Sequence, residues 1–322
     1  MYKAYFGLSE LPFTIGPNPK YLYLSDQHRE AMAHLLYGLS EQGGFILLTG
    51  EVGTGKTTLC RSVLQQLPDN VEVALILNPR ATSIELLQYI CDELKIDYQG
   101  SNSAKVLNDA LNHYLLDAYS NHRRVVVMID EAQQLSIETL EQVRLLTNLE
   151  TNKDKLMQII LVGQPELNEM LSSKHLRQLS QRIKSRYHLG ELDLQQLGAY
   201  IKNRLRVAGC EKELFSKKAI KKIFNYTKGV PRLINVLCDR CLMGAYATDR
   251  AIVDHQVVNQ AAKEVFGNDN VDTSSPVMKW VSFAVVVVGL LFAFIWGAKQ
   301  YQPQWFNKLG ITDAAQVIQK ND

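Results

Sequence analysis

The chain has 322 residues, of which 46% are hydrophobic and 21% charged. That balance excludes a disordered or fibrous chain and allows a packed core in more than one domain. The formal net charge of +2 is too even to mark a nucleic-acid binder by charge. Five cysteines, Cys60, Cys91, Cys210, Cys238 and Cys241, lack the spacing of a disulfide framework and read as reduced thiols. Cys238 and Cys241 form a C-x-x-C pair, but no second ligand pair lies near it to complete a zinc site.

Residues 1–44 are mixed, with Pro12, Gly16, Pro17 and Pro19 punctuating a loop. The first residues lack the basic start and apolar stretch of a signal peptide. Ser25 to Ser40 has helical spacing, with Ser25 or Asp26 as its cap. Phe45–Thr49 is a short apolar run that reads as a buried strand, and Thr57 to Gln66 reads as helix. A strand over Val71–Leu77 and helices over Ser83–Leu94 and Ala104–Tyr119 follow. Arg124–Ile129 is a third strand, Ile137–Leu149 a helix and Met157–Val162 a fourth strand. Continuously apolar strands alternating with helices imply an α/β fold, its parallel sheet covered by helices on both faces.

After Leu192 the strand signal stops. Leu194–Ala208, Ser216–Thr227, Val230–Tyr246 and Asp254–Phe266 read as a helical domain. The expected organisation is a nucleotide-binding domain over 1–191, a helical domain over 192–266 and a polar linker over 267–277. A membrane helix over 278–298 and a tail over 299–322 complete it. The apolar run Val281–Ala298 has 18 residues, about 27 Å as a helix, close to the hydrocarbon thickness of a bilayer. Trp280 and Trp296 fall near its two interfaces. Basic residues tie across it, Lys263 and Lys279 against Lys299 and Lys308. The missing signal peptide, the large nucleotide-binding part and the cysteines before the run place the N-terminus inside and the tail outside.

Gly50-Glu51-Val52-Gly53-Thr54-Gly55-Lys56-Thr57, followed by Thr58, joins the first strand to its helix. This is the pattern of a phosphate-binding loop. Its glycines let backbone N–H groups turn inward around phosphates, and the helix adds its N-terminal dipole. Lys56 is expected to reach the β- and γ-phosphates of ATP, and Thr57 to hold Mg²⁺ through its hydroxyl. The third strand runs straight into Asp130-Glu131, so two carboxylates emerge at its C-terminal end, where open α/β sheets bind ligands. Asp130 is expected to fix the Mg²⁺ and Glu131 to orient the attacking water.

Weaker elements complete a hydrolase site. Gln164, after the fourth strand, is placed to touch the γ-phosphate. Arg177, Arg182 and Arg186 form an arginine cluster, and one of them is a candidate arginine finger toward a neighbouring subunit. Arg232, in Gly229-Val230-Pro231-Arg232-Leu233-Ile234-Asn235, opens a helix of the second domain and is a candidate sensor of the γ-phosphate.

These residues resemble the AAA+ ATPases of the general secretion pathway protein A type and the related pilus-biogenesis protein MshM. The resemblance spans about residues 1–298. It rests on Tyr5-Phe6-Gly7-Leu8 with Pro12-Phe13, on the glycine loop, and on Ile129-Asp130-Glu131-Ala132-Gln133. It rests also on Leu145 to Thr151, Val162 to Leu167, Gly229 to Asn235 and the apolar run. The resemblance implies that the helical domain is an AAA+ lid and that Pro12 to Tyr23 flanks the adenine. It also implies an oligomeric, membrane-anchored ATPase of the bacterial inner membrane that serves type II secretion. Such proteins act with a GspB/ExeB-like inner-membrane partner to help the secretin assemble across the peptidoglycan. Their peptidoglycan-binding region has no counterpart among these 322 residues, which end at Asp322, so peptidoglycan is expected as a partner only through a region outside this sequence.

Two other readings stay open on sequence. One is an MshM-like pilus-biogenesis ATPase. The other is a DNA-associated AAA+ module, for which Lys217, Lys218, Lys221 and Lys222 are the basic stretch. The apolar run and near-neutral charge weigh against nucleic acid as a partner.

Overall fold

A computed structural model describes residues 2–267, apart from 41–42, 78 and 152–153. Five parallel strands form one sheet in the order β2-β3-β4-β1-β5. They are β1 (Gly44–Gly50), β2 (Val71–Ile76), β3 (Arg124–Ile129), β4 (Met157–Gly163) and β5 (Ile183–Leu189). Strand β1 sits between β4 and β5, with Leu47 opposite Leu161 and Arg186. Strand β3 sits between β2 and β4, with Ile129 opposite Ile76 and Leu161.

The apolar runs are continuous because helices cover both faces. Phe45, Leu47, Val125, Val127, Ile159 and Leu161 point to one face. There they meet α4 (Ser83–Glu93), α5 (Ala104–Ser120), α6 (Ile137–Leu146) and α8 (Arg177–Gln181) through Leu86, Leu111, Leu140 and Leu179. Ile46, Leu48, Val126, Met128, Ile160 and Val162 point the other way. They meet α2 (Asp26–Ser40) and α3 (Lys56–Leu64) through Leu35, Leu59 and Val63. Period-two alternation of the Cβ atoms sorts each strand between two cores.

The fifth strand corrects the four-strand reading. Its sequence, Ile-Lys-Ser-Arg-Tyr-His-Leu, carries no apolar run, and only Leu189 within it is fully buried. It is an edge strand whose exposed Lys184, Arg186 and His188 discourage pairing with another chain. The short helices α1 (Tyr2–Phe6) and α7 (Glu166–Leu171), like α8, are too brief to give a helical period.

Helices α9 (Leu194–Val207), α10 (Lys217–Thr227), α11 (Pro231–Ala247) and α12 (His255–Phe266) match the expected helical segments within about two residues at each end, the usual uncertainty of helix ends. Asp193 caps α9 in a reciprocal pair with Gln196, and the Asp254 side chain caps α12. Tyr2, Phe6, Leu8 and Phe13 share the core of these four helices. The Phe13 ring meets Phe215 edge-on at 6.0 Å, and the Ser9 N–H donates to the Ala208 carbonyl at 2.8 Å. Packing on α9–α12 carries the next residues, 14–23, toward the end of the sheet that bears the glycine loop.

All five cysteines are buried and unpaired. Cys238 and Cys241 lie inside α11, where burial pushes both thiols well above their usual range. Among the described residues no helix is long and apolar enough to cross a membrane. The linker, the apolar run Val281–Ala298 and the tail lie outside the described residues.

Candidate functional site

The glycine loop links the end of β1 to α3 at the C-terminal edge of the sheet. Gly53 and Gly55 adopt φ of +85° and +106°, a region that glycine enters without a Cβ penalty. At Gly53 the need is double, since a Cβ there would stand 2.5 Å from the Arg232 Cβ. Lys56 is buried and folds back over the loop, donating from Nζ to the carbonyls of Gly50 at 2.7 Å and Glu51 at 3.0 Å. Burial lowers its pKa, while the charges of Glu131, Asp130 and Glu51 oppose that shift. A phosphate oxygen offers Lys56 a charged acceptor in place of the two carbonyls.

Thr57 and Asp130 come from different elements and meet directly. Thr57 Oγ1 donates to Asp130 Oδ2 at 2.6 Å. The other oxygen, Oδ1, accepts the Glu131 N–H at 2.9 Å. Burial raises the Asp130 pKa, and both hydrogen bonds oppose the rise. A hydroxyl and a carboxylate converging in a buried place make an oxygen-only donor set, which suits a hard divalent cation such as Mg²⁺.

Glu131 takes a left-handed backbone, φ 54° and ψ 36°. A non-glycine residue held there costs about 1–3 kcal/mol and is commonest where function requires it. Its Oε2 accepts from Gln133 Nε2 at 2.6 Å and from Gln164 Nε2 at 3.1 Å. Gln164 thus reaches the carboxylate from the end of β4, one strand away.

The pocket over the loop is lined by Val52 to Thr58 and Glu131 on one side and by Pro231, Arg232 and Asn235 on the other. The Arg232 N–H donates to the Gly53 carbonyl at 3.1 Å, so α11 abuts the loop at its first turn. Ile15 to Asn18 and Tyr21 to Tyr23 form a third wall.

Loop residues 50–58, Asp130, Glu131, Gln164 and Arg232 are therefore brought together. Arg182 and Arg186 are not among the residues lining this pocket. Arg182 Nη1 donates to the Arg144 carbonyl at 3.1 Å, Thr147 Oγ1 at 2.7 Å and Asn148 Oδ1 at 2.8 Å. It ties the end of α6 to the start of β5. Arg186 is exposed on β5 and donates to the Ser180 carbonyl and hydroxyl at 2.9 and 2.7 Å. Arg177 opens α8, and its side chain is exposed.

Two further residues shape the pocket and carry no motif. His28 is buried, its Nδ1 lies 2.6 Å from Ser25 Oγ, and it lines the pocket beside Gly55. Burial lowers its pKa, against a backbone hydrogen bond with Thr54. Arg204 is buried with its guanidinium 4.9 Å from the Tyr21 ring and 5.5 Å from the Tyr200 ring. It donates to the Thr14 carbonyl at 3.1 Å, which ties the third wall to α9. Helical spacing signals a buried face in both cases, but not that the face borders a ligand site.

Residues 39–171 match a family model described as an AAA domain. The chain is 52% identical over 267 residues to general secretion pathway protein A of Aeromonas hydrophila. The match covers 83% of this chain and 49% of that protein, so the chain spans about half the length of this curated relative. Among solved structures, Cdc6p from Pyrobaculum aerophilum superposes with a TM-score of 0.62 at 17% identity, covering 78% of this chain and 70% of that one. The ORC2 protein of Aeropyrum pernix, in ADPNP–ADP complexes, gives 0.60 at 18%, covering 80% and 72%. At that identity these two likenesses speak for the fold alone. The sheet, the glycine loop and the half-length match agree: the chain belongs to the P-loop AAA+ ATPases, in the group of general secretion pathway protein A.

Proposed function

We propose that this chain hydrolyses ATP, and that it does so at the bacterial inner membrane to drive or regulate assembly of a type II secretion apparatus. The observation that carries hydrolysis is the convergence of the glycine loop, Glu131 and Arg232 on one pocket, with Asp130 bonded to Thr57 and Gln164 bonded to Glu131 behind its lining. The secretion role rests on the 52% identity to general secretion pathway protein A. In this reading the nucleotide-binding domain expected over 1–191 and the lid over 192–266 share the N-terminal segment, because Tyr2, Phe6, Leu8 and Phe13 pack in the lid core. The apolar run Val281–Ala298 is the membrane anchor, with the ATPase in the cytoplasm and the tail in the periplasm. A GspB/ExeB-like membrane protein is the proposed partner.

The residues divide the work by position. Backbone N–H groups of residues 51–57 would surround the phosphates, and Lys56 would meet the charge of the β- and γ-phosphates. Thr57 and Asp130 hold Mg²⁺, which when bound neutralises phosphate charge as it develops. Glu131 orients the attacking water, and Gln164, bonded to that carboxylate, is the residue assigned to the γ-phosphate. Arg232, fixed at the first turn of α11 against Gly53, reports the γ-phosphate to the lid. Residues 15–23 form the wall for the adenine.

A trans-acting arginine belongs to this proposal as well. Arg182 is committed to three acceptors spread over Arg144, Thr147 and Asn148, whereas Arg186 is exposed at the sheet edge with both its acceptors on Ser180. Arg186 is accordingly the stronger candidate for a finger into a neighbouring subunit.

The test is purification of the Glu131→Gln form from membranes with ATP bound, followed by identification of what comes with it. A secretion-system membrane protein that depends on ATP supports the reading. Retention of wild-type turnover by Glu131→Gln would refute the hydrolytic assignment, and a pilus component as the ATP-dependent partner would refute the secretion role.

A further inference from the structure

We infer that Gln133 is a positioning residue that fixes which oxygen of the Glu131 carboxylate faces the attacking water. The inference rests on the reading of Glu131 as the water-orienting group. Gln133 lies in the single 3₁₀ turn Ala132–Gln134 after β3. Its amide is used at both ends. Nε2 donates to Glu131 Oε2 at 2.6 Å, and Oε1 accepts the Gln164 N–H at 3.1 Å. Reversing the amide would set oxygen against carboxylate oxygen and N–H against N–H, so these partners fix its orientation. Asparagine is shorter, glutamate lacks the donor and lysine lacks the acceptor. At this reach glutamine supplies both.

The neighbouring backbone makes room for it. A Cβ at Gly163 would lie 2.8 Å from Gln133 Oε1. The last residue of β4 therefore admits the amide because it has no side chain. Gln164 then adds its own Nε2 to the same carboxylate oxygen at 3.1 Å. Both amides donate to Oε2 and neither to Oε1. With Oε2 tied from two elements, rotation of the carboxyl group is suppressed, and Oε1 is the oxygen that both amides leave free on a residue lining the pocket. Holding a reacting group in one geometry is worth large factors in rate, and a small misplacement loses them.

Two near-isosteric changes test this in the full-length protein. Gln133→Met removes both hydrogen bonds. Gln133→Glu keeps the acceptor for the Gln164 N–H but loses the donor to Glu131. Both are expected to lower kcat by about ten- to a hundredfold. KM, the affinity for a fluorescent ATP analogue and the thermal midpoint should stay near wild type. A variant that had merely lost packing would bind nucleotide weakly and melt early, so this split separates positioning from structure. Wild-type kcat in both variants overturns the inference, and so does a rise in kcat, which would make Gln133 a restraint. If Glu131→Gln itself retains turnover, the underlying assignment of Glu131 has failed, and that outcome is distinct from the other two.

Discussion

Thr57 donates its hydroxyl to Asp130 Oδ2 at 2.6 Å, joining the first turn of α3 to the end of β3. The two residues are 73 positions apart in sequence, and each is placed by its own strand. β1 sets the loop that presents Thr57, and β3 ends at Asp130. With β4 between these strands in the sheet, the contact is made above the strand ends and not along a ladder. It holds the two proposed metal-holding groups within hydrogen-bond reach of each other.

Removing Asp130 should therefore act through the cation. For Asp130→Asn, the Mg²⁺ concentration giving half-maximal turnover is expected to rise at least about tenfold, since one charge-assisted interaction is worth about 1.5–3 kcal/mol. ATP binding without Mg²⁺ should hold. Mg²⁺ titrations of turnover and of fluorescent-nucleotide binding measure the two separately, and an unchanged Mg²⁺ requirement would count against this residue.

Lys56→Ala should remove nucleotide binding outright. The side chain is buried under the loop and bonded to the Gly50 and Glu51 carbonyls. Its loss takes away a phosphate partner and the Nζ donor to the Gly50 carbonyl, while the Glu51 carbonyl keeps the Thr54 N–H and hydroxyl. Equilibrium binding of a fluorescent ATP analogue is the check, with far-ultraviolet circular dichroism to confirm that the fold persists. Binding at wild-type affinity would reject the assignment.

Gly53→Ala probes the junction between loop and lid. The backbone there is at φ +85°, and the new Cβ would meet the Arg232 Cβ at 2.5 Å. Strain of about 1–3 kcal/mol is expected, together with displacement of α11 from the loop. Urea unfolding should show the loss of stability, and ATP affinity should fall with it. An Arg232→Ala variant should keep the stability and lose the response of lid protection to ATP in hydrogen exchange.

Most of this architecture could be read in the residues. Continuous apolar runs at 45–49, 125–129 and 157–162 announced strands buried on both faces. The glycine loop and Asp130-Glu131 carried the site because backbone turns and paired carboxylates leave local signatures. Strand β5 left none. At an edge, a strand needs little apolar surface, and with Lys184, Arg186 and His188 exposed this one shows no apolar run. The roles of His28, Arg204 and Gln133 depend on contacts across the fold. Arg204 meets Thr14, Tyr21 and Tyr200, and no spacing rule connects those positions. The same holds for Arg182, whose three acceptors on and after α6 mark it as a tie within the chain.

Burial of His28 predicts an acid-sensitive component of stability. Its folded pKa is lowered from 6.5 because burial disfavours the imidazolium. The unfolded chain then binds the proton more readily than the folded one. Stability from this group is complete above the unfolded pKa and declines as the pH falls below about 6.5. The decline ends once the folded pKa is also passed. His28→Gln, which keeps a polar group beside Ser25, should flatten this part of the stability profile. Urea midpoints between pH 7.5 and 5 for the two proteins provide the measurement. Parallel profiles would show that His28 is not the group responsible.

Mixed subunits test the arginine finger. Arg186→Ala subunits keep a complete phosphate site but cannot offer the finger, and Lys56→Ala subunits offer the finger but bind no nucleotide. Each alone is expected to lose at least about a hundredfold in turnover, because a finger is worth about 10³ or more. Mixed before assembly on vesicles, the two should recover a measurable fraction of wild-type turnover, as Lys56→Ala neighbours complete the Arg186→Ala sites. Arg182→Ala should behave differently. It strips the Thr147 hydroxyl, the Asn148 amide oxygen and the Arg144 carbonyl of a shared donor. A loss of about 1–3 kcal/mol in unfolding free energy is expected, with no complementation beyond what stability explains. Recovery by Arg182→Ala and not by Arg186→Ala would reverse the assignment, and recovery by neither would remove both arginines from the neighbour's site.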